Sequence, residues 1–524
     1  MVVRIPLIVN PDAAQIQELP AGDTLDVPGV GLTADGTIAA NAAVTITSAG
    51  KAKAISAVAE SHGSAGTFYT HSGSLRAKAI NFGHWDTSQN AAIVNWTDTQ
   101  DARKFTVGTL SGSTMTWASA VGQSFGDEFT PAIASNGEGG GIIIWRQSSN
   151  AGDAYAANLL YQTFTLSGST MTLGTVVTTL SPYAINSNSP TRLYVEYLEK
   201  DGSSHYFAHG YRWGWDSTSG GMVGKVRIIK WDGQNNVTVG AETSLGSIVT
   251  SNSDRAAIWT RLIALEHGRF LLYDRGVYKV CTRVGTTFRL PSTGYTLLGA
   301  TPPEQKEPVY DPRTKYLLTV DANEGASASS IHVYIVDGEN ISYRFRVELP
   351  VGHVGNGHVE MTDKGQILFS YIDSTSGGLH NGKQLLGTFN DAKDDVTWGS
   401  PTTWSTAASN MGVQPRIVKA DDGKVIQLFY SGTGGAAQDG KSVVSQTPTT
   451  TLTEDNFLGF SSAGYSDGDA ARIKVLGNVT TQSGLTAGQK YYVQDNGTLA
   501  TSKGSFGVVA GKAVSATSLL ITPN

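Results

Sequence analysis

The sequence predicts an all-β protein, and three observations carry that reading. Apolar and polar residues alternate in runs of roughly five to nine, rich in Val, Ile, Thr, Tyr and Trp, with clusters of Gly, Ser, Asn and Asp between them. Helical periodicity is nearly absent. The pattern also repeats: a strongly apolar strand followed by a polar turn occurs at 91–96, 141–145, 205–211, 269–273, 315–320, 366–371 and 425–430, with starts roughly 50 to 65 residues apart.

Most of these strands are followed by a second alternating strand and a hairpin into a third, as at 104–117, 162–173 and 385–399. The phrase Leu-Ser-Gly-Ser-Thr-Met-Thr stands at both 110–116 and 166–172 and is an internal repeat. A four-stranded unit repeated about seven times predicts a roughly seven-bladed β-propeller over 50–448; a β-helix, the structural rival, repeats nearer every ~20 residues. One blade cannot bury its own faces, whereas a closed ring can. On this reasoning the fully apolar strand is expected innermost, covered on both faces by its neighbours.

The flanks differ in composition. Residues 1–49 hold short polar strands punctuated by Pro6, Pro11, Pro20 and Pro28, too poor in apolar residues for a core of their own, and predict an N-terminal attachment or oligomerisation segment. Residues 449–524 follow a Thr/Pro linker and predict a small C-terminal β domain, with strands near 471–475, 489–493 and 518–521 and a hairpin turn at Asp495-Asn496-Gly497.

Composition excludes several classes. Of 524 residues, 40% are hydrophobic, which suits a packed core, but only 16% are charged, against ~25% in an average globular protein. Lys plus Arg (38) against Asp plus Glu (44) leaves a net charge of -6, which argues against a nucleic-acid phosphate binder. No run reaches 18 apolar residues, so no membrane insertion is expected, and the opening lacks a signal peptide's basic and apolar regions. Synthesis in a cytoplasm follows. The single cysteine, Cys281, lies in an alternating run and reads as a buried thiol.

The opening residues Arg4-Ile5-Pro6-Leu7-Ile8-Val9-Asn10 and Gln15-Ile16-Gln17-Glu18-Leu19-Pro20 resemble the start of tail-fibre-like virion structural proteins of marine tailed bacteriophages. The close is similar to the carboxy-terminal module of such proteins, at 485–493 (Leu-Thr-Ala-Gly-Gln-Lys-Tyr-Tyr-Val), 509–513 and 515–521. The resemblance covers about 120 residues at the two ends. It implies a virion component, a tail fibre or receptor-binding structural protein for viral attachment to the host, often a homotrimer. Its implied partners are other tail or virion proteins and a host cell-surface glycan or protein receptor, and its implied location is the virion tail. A head fibre or tail adaptor stays open, as does a propeller glycoside hydrolase acting on host surface polysaccharide. A secreted lectin-like propeller would need a signal peptide.

For chemistry, the segments 111–117 and 393–398 keep the Thr-Trp of a glycosidase Asp-box hairpin but not its Asp and Gly, so Trp117 and Trp398 read as packing between blades. Arg255, Arg261, Arg275 and Arg283 are not ordered into a site, and the two carboxylates ~5 Å apart of a retaining glycosidase cannot be seen in a sequence. The reading is therefore no enzyme, no cofactor and no metal. Asp98, Asp274, Asp321 and Asp373 follow apolar strands and are expected at matching points near the central channel, where turn chemistry outweighs a cation ring. His205 and His209 share a strand face but stand ~13 Å apart at ~3.3 Å per residue, too far for joint ligation; His353, His358 and Glu360 form a second metal-like spacing. The binding candidate is the segment Tyr211, Trp213, Trp215 and Asp216, read as an aromatic, Gly-rich loop whose rings stack on sugar faces while Asp216 takes hydroxyls.

Overall fold

The structure, a computed structural model, describes residues 7–10, 15–18, 29–70, 77–98, 103–122, 131–148, 157–179, 193–216, 221–234, 236–247, 262–274, 277–292, 294–295, 308–321, 329–351, 357–373, 381–390, 392–406, 415–431 and 439–522. Among them every regular element is a β-strand. The chain divides into two compact units, one made of Glu60–Thr447 and one of Met1–Ala59 with Pro448–Asn524.

In the larger unit, antiparallel sheets follow one another along the chain. Sheet 1 contains Ala77–Asp86, Ala91–Asp98, Arg103–Ser111 and Thr114–Trp117. Sheet 2 contains Ala132–Ser135, Gly140–Ser148, Ala157–Ser167 and Thr170–Thr179. Sheet 3 contains Leu193–Asp201, Ser204–Asp216, Gly221–Trp231 and Val237–Val239. Sheet 4 runs from Leu262–Ala264 through Arg269–Asp274 and Val277–Val284 to Thr287–Arg289. Sheet 5 runs from Val309–Asp311 through Tyr316–Asp321 and Ser330–Asp337 to Asn340–Glu348. Sheet 6 contains Gly357–Met361, Ile367–Asp373, Asn381–Phe389 and Val396–Trp398. Sheet 7 takes three strands from Arg416–Lys419, Lys424–Ser431 and Asp439–Gln446, while its outer position is filled by Ser61–His62 and Gly66–Tyr69 from the start of the unit.

The first strands of successive sheets lie against one another, and Arg416–Lys419 lies against Ala77–Asp86, so the series closes on itself. This is a β-propeller-like arrangement. It corrects one expectation: the fully apolar strand is second in each sheet, not innermost. Ala91–Trp96, Ile142–Trp145 and Leu368–Tyr371 are buried because a second strand has a partner on each edge and a neighbouring sheet on each face. The first strands, which lie against one another round the series, line the axis.

The repeated phrase forms equivalent hairpins between third and fourth strands of sheets 1 and 2. Gly112 and Gly168 take φ values of +60° and +56°, which a side chain would strain, and Met115 and Met171 turn inward at corresponding positions. Trp117 and Trp398 bridge sheets as expected: their indole Nε1 atoms donate to Ser442 Oγ at 2.9 Å and to the Glu348 carbonyl at 3.1 Å. Cys281 is buried.

In the smaller unit the two flanks are not separate bodies. Val30–Thr33, Ala43–Ile46 and Ala52–Ala54 join Phe457–Ser461 and Ala470–Lys474 in one sheet, ordered so that the later strands lie between the earlier ones. Residues before 50 are too polar to make a core alone, and they borrow Phe460, Ala471 and Ile473 to bury Ala43 and Val44. The units meet the chain at 59/60 and 447/448, rather than at 49/50 and 448/449.

Candidate functional site

Tyr211, Trp213, Trp215 and Asp216 lie in a strand and not in a loop. Ser204–Asp216 pairs with Gly221–Trp231 up to Trp213↔Val223, Trp215↔Met222 and Asp216↔Gly221, with a bulge between the two tryptophans. Alternating aromatic residues favour this ladder over a turn. Residues 217–220 and the side chains of Trp213, Trp215 and Asp216 lie outside the described residues.

Tyr211 is 1% exposed, so it braces the hairpin from within and does not face a partner. Its hydroxyl donates to Glu242, which also accepts from Lys225 Nζ at 2.6 Å and Arg227 Nη2 at 3.1 Å. Beneath it, His209 stacks on the Tyr211 ring with centroids 4.8 Å apart, and His209 Nδ1 meets Tyr161 Oη of sheet 2 at 3.2 Å. Burial, reinforced by the Arg227 charge, pushes the His209 pKa down to about 3, so this imidazole is neutral. Burial raises Tyr161 to about 12 and Tyr211 further. Lys225 and Arg227 hold the Glu242 carboxyl below its ordinary range against the opposing effect of burial.

The other constellations separate. Asp98, Asp274, Asp321 and Asp373 end second strands, which removes them from the axis; Asp373 pairs with Lys383 across its own sheet, and the side chains of the other three lie outside the described residues. Arg255, Arg261, Arg275 and His353 also lie outside them. Arg283 is held between sheets by Glu199, with Nε to Oε1 at 2.5 Å. His358 Nδ1 accepts from the Ile417 amide at 2.8 Å and Glu360 from the Met361 amide at 3.0 Å, so each serves its own strand or the next. His205 packs against Trp231 and approaches Glu138 at 4.0 Å. Among the described residues no group of three His, Cys, Asp or Glu is placed to hold a metal ion.

A recurrent acid does exist, at the opposite end of the sheets. Near the turn from first to second strand, Asp86 accepts from Ser135 Oγ at 2.7 Å, Glu138 pairs with Lys200 at 2.5 Å, and Glu199 holds Arg283. Glu266 accepts from Tyr310 Oη at 3.1 Å, Asp363 meets Arg313 at 3.3 Å and the Gly423 amide at 2.7 Å, and Asp421 accepts from Trp85 Nε1 at 2.9 Å. Each tie joins one sheet to the next, and together they go round the ring. The signal available in sequence was an acid two to five residues before the apolar strand of each unit.

One arrangement has the elements of a nucleophilic triad. Ser445 Oγ lies 2.9 Å from His62 Nδ1, and His62 Nε2 lies 3.8 Å from Glu60. Ser445 is 0% exposed, and Thr402 Oγ1 stands between the imidazole and the carboxylate, bonded to both at 3.3 and 2.5 Å. The group continues through Gln384, Gln427 and Ser370 as a buried polar chain between sheets 6 and 7.

No protein-family model and no curated protein matches the chain. Among solved structures it is similar to a fungal alcohol oxidase of the AA5 family in complex with copper, at 13% identity over 89% of this chain and 94% of that one, TM-score 0.43. It is also similar to the periplasmic gluconolactonase of Pseudomonas aeruginosa (11% identity, 77% and 100%, TM-score 0.38). A third is the WD40 domain of SCAP from fission yeast (10% identity, 74% and 90%, TM-score 0.36). The fold described above rests on strand order and closure in this chain.

Proposed function

We propose that the chain is a virion structural protein of a tailed bacteriophage, a tail-fibre or receptor-binding component, in which Glu60–Thr447 forms a seven-bladed propeller. The blade count is supported by the seven sheets whose first strands follow one another in a circle, with Ser61–His62 and Gly66–Tyr69 completing the last. The attachment reading rests on the resemblance of the chain ends, and one observation carries it further. The flanks of the propeller, 30–58 and 449–522, build a single β unit between them, so the propeller is an insertion into a module assembled from both ends. That division suits a protein with an anchoring part and a presenting part. The longest hairpin of the propeller, Ser204–Asp216 with Gly221–Trp231, carries Trp213, Trp215 and Asp216 at its far end and is the proposed contact with a cell-surface glycan or protein.

Immunogold labelling of purified virions with antibody to the whole chain tests the assignment: label on the tail supports it, and label confined to lysate protein overturns it. Light scattering on the purified chain is expected to return three times the monomer mass.

A further inference from the structure

Between sheets 2 and 3, buried polar side chains leave two donors over. Arg227 is the ladder partner of His209, so both side chains leave sheet 3 on the same face. His209 stacks on Tyr211, Arg227 lies 6.0 Å from the same ring, and both hydrogen-bond Tyr161. Arg227 can only donate, so Tyr161 Oη accepts from it; Thr179 is the other side chain bonded to Tyr161, its hydroxyl donating to the Leu159 carbonyl at 3.3 Å, and the Tyr161 proton is assigned to His209 Nδ1. The ring proton of the neutral His209 then sits on Nε2. His209 is 0% exposed, its Nε2 has no partner, and neither has the buried Nε of Arg227.

Charge is also unbalanced. Lys225 and Arg227 face one carboxylate, Glu242, which leaves one positive charge in excess (2 − 1). Tyr161 and Tyr211 are held protonated by burial and cannot supply the missing negative charge.

We infer that His209 Nε2 and Arg227 Nε together bind a small monoanion of the size of chloride. A buried N–H without an acceptor is costly to leave unmade, and a halide accepts from several donors at once while cancelling the excess charge. Water serves less well because it brings two protons of its own. The neighbouring acceptors, both Glu242 oxygens and Tyr161 Oη, are already bonded. The site lies under Tyr211, where Ser204–Asp216 sets out towards Trp213 and Trp215, so a bound anion stiffens the root of that hairpin.

The test is thermal unfolding of the whole chain in sodium chloride and in sodium gluconate at equal ionic strength. A chloride-specific rise in Tm is expected, with the unfolding constant falling about 100-fold at a hundred times the Kd. His209→Phe keeps an aromatic ring against Tyr211 but removes the donor, and is expected to abolish the difference between the salts. Equal Tm values in the two salts for the unmodified chain, or a chloride response unchanged in His209→Phe, overturn the inference. Should that variant fail to fold, crystals of the unmodified chain grown in bromide decide: an anomalous peak within hydrogen-bonding reach of both nitrogens supports the site, and its absence there overturns it.

Discussion

Two seams of the ring bury polar groups in an otherwise apolar core, and they do so by different means. Between sheets 6 and 7 the groups are mostly neutral and their bonds close: Ser370 donates to Gln427 at 2.7 Å, Gln427 to Gln384 at 3.0 Å, and Gln384 to Glu60 at 2.7 Å. Between sheets 2 and 3 two cations share one carboxylate over a buried histidine, and two donors are left over. A neutral network specifies how two sheets register without storing unbalanced charge. A charged one is stronger pair by pair, but it transmits any change in protonation to the packing around it.

The largest effect expected from this contrast is at Glu242. Glu242→Ala strips Lys225 and Arg227 of their counter-charge and leaves them only the neutral acceptors Ser244 and Tyr161, and is expected to destabilise the propeller by about 2–3 kcal/mol, below the full cost of a buried pair because these groups retain some solvent. A urea titration reads this as a lower midpoint at unchanged slope. A midpoint within error of the unmodified chain breaks the distinction between the seams.

Next comes the neutral seam. Gln427→Leu orphans Ser370 and Gln384 and is expected to cost about 2 kcal/mol, whereas combining it with Ser370→Ala removes the Ser370 donor together with its acceptor and recovers part of that loss. The double-mutant cycle sharpens the comparison, since a recovery is expected only where no net charge is stranded.

Acid separates the seams further. His209 is held neutral with its pKa far below the ordinary 6.5, and burial lowers His62 and His205 as well. Each lowered pKa means the unfolded chain binds the proton more readily, so stability is intact above about 6.5 and falls as pH drops towards the folded values. Denaturant midpoints measured from pH 7 to pH 4 are expected to decline, with a shallower decline in His209→Phe. An equal decline in both would place the acid sensitivity elsewhere.

These seams were only partly legible in the sequence. The hairpins at Gly112 and Gly168 could be read because a positive φ and an inward methionine are local requirements with local signatures. The depth of each strand could not. Ile142–Trp145 is equally apolar whether first or second in its sheet, and only ring closure decides which position is enclosed on every side. Tyr211 to Asp216 read as a loop because glycine and polar residues follow it in sequence, while the pairing that holds it as a strand comes from Gly221–Lys225. The ties at Asp86, Glu199, Glu266 and Asp363 resemble ordinary turn acids. Their partners sit in the neighbouring sheet, tens of residues away, where no spacing rule reaches.

The smallest effect expected is at the seam between sheets 1 and 7, where one neutral bond can be removed with little change in shape. Trp117→Phe keeps an aromatic ring beside Phe68 but loses the indole donor to Ser442, a serine 1% exposed. A loss of about 1 kcal/mol is expected, since a single neutral bond is worth roughly that and the serine keeps the freedom to turn its hydroxyl elsewhere. Measured beside Glu242→Ala, it sets the scale. If the two losses match, the charge at sheets 2 and 3 adds nothing beyond ordinary hydrogen bonding. If Trp117→Phe is clearly the milder, the excess at Glu242 belongs to the stranded cations.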